Sequence, residues 1–193
     1  MTEPRRLTDP RQLRAMAHPL RLRLFYALQA EGSATASRLA ELTGESPSLV
    51  SYHLRQLAAH GFIADDPTRD GSARDARERW WTAGERGFSW SESDFAGAPE
   101  QAGAAGELKR QMIAHHVERL DAWERERHAW PQQWQDAATM TDGIIDLTAD
   151  ELADLAQELA DVVARWRRRT RSADDGAARE HVMVVQHAFP FRP

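Results

Sequence analysis

The sequence predicts a mostly helical α+β fold with small β elements, and three observations carry that expectation. Over residues 35–61, TASRLAELTGESPSLVSYHLRQLAAHG, two short amphipathic helices follow each other across a turn of about three residues. Apolar side chains recur at helical spacing again over 107–134 and 152–166. Strand-like runs are brief, at 62–64, 77–82, 88–91, 144–147 and 181–189.

Taken in order, Asp9-Pro10 opens a first helix that runs to about Ala17, with Leu13 and Met16 turned inward. His18-Pro19 breaks it and starts a second, whose Leu20, Leu24 and Leu28 form one stripe and whose end is Gly32. These two helices are the scaffold behind the 35–61 pair.

In that pair, Thr35 is an N-cap and Gly44 a C-terminal stop that adopts the left-handed conformation at little cost. Ser46 caps the next helix, and Pro47 suits its first position, where a missing N–H is harmless. Val50, Leu54 and Leu57 face a core, which leaves Ser48, Ser51, Tyr52 and Arg55 on the opposite side. Hydroxyls meet either donors or acceptors, and an arginine takes guanine O6 and N7 together. A slim helix start at Ser46, Pro47 and Ser48 approaches bases closely and offers free N–H groups to a phosphate. Two capped helices alone also occur in many all-helical proteins. His18, at a helix junction, and His53, beside Val50 and Leu57, have structural roles on this reading.

The segment after the pair narrows the choice. Phe62-Ile63-Ala64, an acidic loop over 65–75 and the return run Arg77-Glu78-Arg79-Trp80-Trp81-Thr82 make a hairpin, and helix-turn-helix then hairpin is the winged-helix order. Arg69 and Arg74 near the tip of the wing, with Arg77 and Arg79 at its base, suit phosphates or a minor groove. The competing reading is a solvated turn whose Asp and Arg residues pair with one another.

Over 9–82 the chain resembles the ArsR-type winged-helix transcription regulators. The likeness rests on His18-Pro19-Leu20-Arg21-Leu22-Arg23-Leu24, Leu39-Ala40-Glu41-Leu42-Thr43-Gly44, Ser46-Pro47-Ser48-Leu49-Val50-Ser51-Tyr52-His53-Leu54 with Leu57, and Gly61-Phe62-Ile63. It implies double-stranded DNA as partner and a homodimer formed by helices outside the winged core, because a palindromic site needs a two-fold. The Cys-rich metal site of many such regulators is absent from the 35–44 helix.

Composition fits. A chain of 193 residues, 41% hydrophobic, buries a sizeable core. With no Cys there are neither disulfides nor thiolate metal sites. The charged start MTEPRRLTDPRQL and the lack of a spanning apolar run imply a cytoplasmic protein and no membrane partner. The net charge of −5 divides unevenly: residues 1–90 hold 13 Arg against 11 acidic residues (+2), and 91–193 hold 12 basic against 19 acidic (−7). The positive charge lies with the helix-turn-helix, where local arrangement has to supply the electrostatic footprint.

Three regions are therefore expected: a DNA-binding domain over 1–84, a Gly-rich linker with a short strand over 85–106, and a dimerisation and effector region over 107–193. In the last, the 107–134 helix carries Leu108, Val117, Leu120, Trp123, Trp130 and Trp134, with a kink or new start at Pro131. Strands at 144–147 and 181–189 flank a helix opened by the capping box Thr148-Ala149-Asp150-Glu151, and suggest a small sheet.

The effector stays open. Trp and Met side chains fit an organic small molecule of unknown identity. His115 with Glu118, and Glu124 with His128, fit the alternative of a metal-sensing repressor, although no bound metal or cofactor is expected. An enzyme is disfavoured, since neither a nucleophile elbow nor a phosphate-cradling Gly loop occurs. A winged-helix protein-interaction module is the third class, against which stand the small polar residues of the outward face. The reading is a homodimeric repressor that meets an inverted repeat through the 46–60 helix and the wing.

Overall fold

The computed structural model describes residues 5–66, 68, 79–83, 87–95, 99–171 and 176–192. They fall into two compact units, Met1–Arg125 and Glu126–Pro193.

In the first unit, local chemistry sets the helix ends. The Asp9 carboxylate accepts from the Arg11 N–H at 2.8 Å to open α1 (Pro10–Met16), and His18 Nδ1 accepts from the Leu20 N–H at 3.2 Å to open α2 (Pro19–Glu31). Thr35 caps α3 (Ala36–Thr43), which ends at Gly44 in the left-handed conformation with φ 72°. Ser46 caps α4 (Pro47–Ala59), its hydroxyl accepting from the Leu49 N–H at 3.4 Å. A serine or threonine at such a site is worth about 1 kcal/mol over alanine.

The core forms where α1, α2, α3 and α4 meet. Leu13 and Met16 join Leu20, Leu24 and Leu28, Leu39, and Val50, Leu54 and Leu57, all essentially inaccessible. Leu22 and Phe25 are buried as well, so α2 is apolar on more than the expected stripe. A helix covered on several sides is hydrophobic on several sides.

Two small sheets complete the unit. β2 (Ala34–Thr35), β3 (Ala64–Asp65) and β4 (Trp80–Thr82) form an antiparallel sheet in the order β2-β4-β3, with Ala34 and Asp65 both opposite Trp81. This is the wing's base, with a third strand supplied from just before α3. β1 (Arg5–Arg6) pairs in parallel with β5 (Phe88–Ser89), and Arg6 binds Asp94 through two hydrogen bonds of 2.7 and 3.2 Å.

The segment expected as a linker carries structure. Phe95 is buried, and α5 (Pro99–Glu126) begins at Pro99 rather than at Glu107, with Ala104, Ala105 and Leu108 in the core. Alanines give a helix close approach to its neighbours, and Gly103 and Gly106 lie within the helix without ending it. The helix stops at Glu126, followed by a 3-10 turn at Arg127–Ala129.

In the second unit, Pro131 starts a separate short helix, α6 (Gln132–Ala137), and Trp130 and Trp134 pack edge to face at 6.4 Å. The capping box forms as expected: the Thr148 N–H donates to Glu151 at 2.7 Å and the Glu151 N–H to the Thr148 hydroxyl at 3.2 Å, opening α7 (Ala149–Arg171). The expected C-terminal sheet is corrected. Residues 144–147 and 181–189 form no strand, and Ile144 is 79% and Phe189 70% exposed. Two short apolar segments without a third strand to cover them are marginal as a sheet. The fold class is nonetheless α+β and mostly helical, through the N-terminal sheets. No helix among the described residues is long and apolar enough to cross a membrane.

Candidate nucleic-acid interface

Because Val50, His53, Leu54 and Leu57 are drawn into the core, α4 turns a continuous polar face outward. Ser46, Pro47 and Ser48 are exposed at its start, Ser51 is half-buried, Tyr52 is 51% exposed, and Arg55 is exposed one turn further on. Ser48, Ser51, Tyr52 and Arg55 lie along one side of the helix. The Ser46 and Ser48 hydroxyls stand 3.3 Å apart, so the capping hydroxyl and the next one are linked. Among the described residues Arg55 has no ion-pair partner, which leaves its guanidinium free for an incoming acceptor.

A cleft runs along this face. Ala36 and Ser37 from the start of α3, Pro47, Ser48, Ser51 and Arg55 from α4, and Arg79 and Trp81 from β4 and its lead-in line it. Two helix N-termini and the wing's base thus converge on the same concavity. Ser37 and Trp81 were not singled out from the sequence, nor was Leu49, which is exposed at the start of α4. Leu49 stands three residues before Tyr52, and that spacing was a usable signal.

The wing arginines divide. Arg69, Arg74 and Arg77 lie outside the described residues. Arg79 is engaged: Asp65 accepts from its Nε and, at 2.6 Å, from its Nη2, while the guanidinium lies over the Trp81 ring at 4.1 Å. This pairing holds the Asp65 carboxyl below the usual range and raises Arg79. Arg79 therefore braces the hairpin against its own strand, as in the competing reading of the wing.

Beneath the outward face, His53 meets His18 with ring centroids 4.5 Å apart and packs edge-on to Tyr52 at 5.1 Å. Its Nδ1 is buried with no hydrogen-bond partner among the described residues. Burial, then the neighbouring His18 and Arg21, holds His53 below the ordinary imidazole range, with Glu45 opposing. His18 is lowered in the same way by burial and by Arg21. Both histidines join α4 to the α1–α2 junction.

The residues considered for metal do not assemble. His115 Nδ1 is 4.0 Å from Glu118 and its ring stacks on Tyr26 at 4.8 Å, so it packs as an aromatic. His128 lies past the end of α5, and the helical spacing from Glu124 is not kept. Among the described residues no group of three or more His, Asp or Glu is placed to hold a metal ion.

Comparison with known proteins gives a family match over part of the chain. Among proteins of curated function, none matches the chain. Among solved structures, a mutant of Lactococcus lactis ZitR in its apo form is similar at 16% identity, over 77% of this chain and 81% of that one, with a TM-score of 0.29. Residues 16–66 match the family model of a helix-turn-helix domain, the span that runs from the end of α1 to just past β3.

Proposed function

We propose that the protein is a DNA-binding transcription regulator, a homodimeric repressor that reads an inverted repeat through α4. The observation that carries this reading is the outward row of Ser48, Ser51, Tyr52 and Arg55, whose guanidinium has no ion pair among the described residues, beside a cleft edged by two helix N-termini. Side chains of this kind read base edges in the major groove, while helix N-termini and wing arginines hold phosphates. In this reading Arg69, Arg74 and Arg77 supply the backbone contacts.

The dimer is assigned to α5. Ile113, Val117 and Leu120 recur at the helical repeat on one face, and Val117 is 52% exposed in the single chain. A second copy packed there repeats the reading helix about a two-fold, as an inverted repeat requires. Repression follows from occupancy alone and needs no surface for recruiting polymerase.

Gel shifts test the proposal, with duplexes from the region upstream of the protein's own coding sequence against scrambled duplexes at several salt concentrations. A specific regulator binds the upstream duplex at least about a thousandfold more tightly than the scrambled one. Equal affinity for both would sink the reading. Adding divalent metals or apolar metabolites to the same assay identifies an effector that releases the complex.

A further inference from the structure

Helix α7 has a seam that nothing among the described residues fully covers. Leu152, Leu155, Leu159, Val162 and Trp166 are spaced three and four residues apart in alternation, the repeat by which two helices wind together. Along this seam the three leucines are half-buried, and Trp166 is 56% exposed with Arg169 over its ring.

Charge on the helix is segregated by end. Asp150, Asp154, Glu158 and Asp161 come first along the helix, and Arg165, Arg167, Arg168 and Arg169 follow them. Glu158 and Arg165 are the decisive pair. They stand one heptad apart and therefore flank the seam at the same position, on the same side. The opposite flank is uncharged, with Ala156 and Val163. Neither Glu158 nor Arg165 has an ion-pair partner among the described residues.

Two identical helices can meet along this seam in two directions. Side by side in parallel, each charged flank faces the uncharged flank of its neighbour, so Glu158 meets the level of Val163. Antiparallel, each flank faces its own counterpart. With the two-fold between Leu159 and Val162, Leu155 then packs on the partner's Trp166, Leu159 on the partner's Val162, and Glu158 reaches the partner's Arg165, twice by symmetry. We infer that α7 is a self-association surface, whose occupant is the α7 of a second copy in antiparallel orientation. This deepens the homodimer proposed above but stands on α7 alone and involves no DNA.

The segregated charge also complements the helix dipole, and that effect needs no partner. Cross-linking separates the two. The chain contains no Cys, so engineered cysteines are its only thiols. In the full chain without DNA, the L155C/W166C variant should give a disulfide-linked dimer on mild oxidation, while L155C and W166C alone should not. Eleven residues of helix span about 16 Å, so the two thiols cannot close within one chain. Adding R165E should cut the linked fraction several-fold by setting Glu158 against a glutamate, and adding E158R with R165E should restore it. A dipole effect alone predicts no such rescue. If L155C/W166C loses helicity by circular dichroism, the surface pair E158C/R165C reads the same contact. Linked dimer from L155C alone would mean a parallel pair and overturn the inference. Absence of linked dimer from both double variants would leave this face to intrachain cover or to another protein, and overturn it equally.

Discussion

At the scale of single residues, the outward face of α4 turns on Arg55. Its exposed guanidinium has no ion pair among the described residues to give up on meeting a base, whereas Arg79 would first have to leave Asp65. Arg55→Ala is therefore expected to weaken binding to the cognate duplex by about 1–3 kcal/mol and to random duplex much less, as fluorescence anisotropy titrations of both duplexes would show. Equal losses would make it a phosphate contact. The difference between the two arginines also marks what a sequence discloses. Thr35, Gly44, Ser46 and Pro47 are legible because capping and turn chemistry act within about four residues. The fate of Arg79 is not, because its partner lies 14 positions earlier on the facing strand.

Among elements, α4 is seated in the core through Val50, Leu54 and Leu57 and, beside them, through two imidazoles. Burial keeps His53 and His18 below their ordinary pKa of 6.5, so well above that pH both are uncharged in the folded and unfolded chains alike. As pH falls below 6.5 the unfolded chain takes up protons that the folded one resists, and stability drops progressively toward the lowered folded values. Thermal melts should show a melting temperature that is level above that pH and declines below it. His53→Leu, which removes the unpartnered Nδ1, should flatten the decline, and an unchanged slope would place the acid sensitivity elsewhere. Elements with strong periodicity or clear caps, α1 to α4, are readable from the sequence. β1 and β2 are not, since two-residue strands carry no alternation and exist only through their partners. The early start of α5 is hidden by its glycines, whose cost is met by burying the alanines beside them.

For the molecule as a whole, the proposed DNA-binding dimer depends on covering the exposed α5 stripe. Val117→Asp places a carboxylate where a partner would bury it unpaired, at a cost well above about 1.4 kcal/mol, the equivalent of a factor of ten. Sedimentation analysis should show the dimer dissociation constant rise at least tenfold, with a parallel loss of inverted-repeat affinity. Unchanged assembly would exclude this face. The two C-terminal apolar segments show the limit of sequence reading at this scale: 144–147 and 181–189 have strand-like composition, but composition does not supply a neighbour to pair with.

β1 has its own timetable. It pairs with β5, and Arg6 binds an aspartate 88 positions later. The contacts among α1 to α4 span much shorter stretches and close sooner. A folding chain can thus pack α1 to α4 together before β1 is fastened to β5. β1 is then among the last parts of its unit to be built.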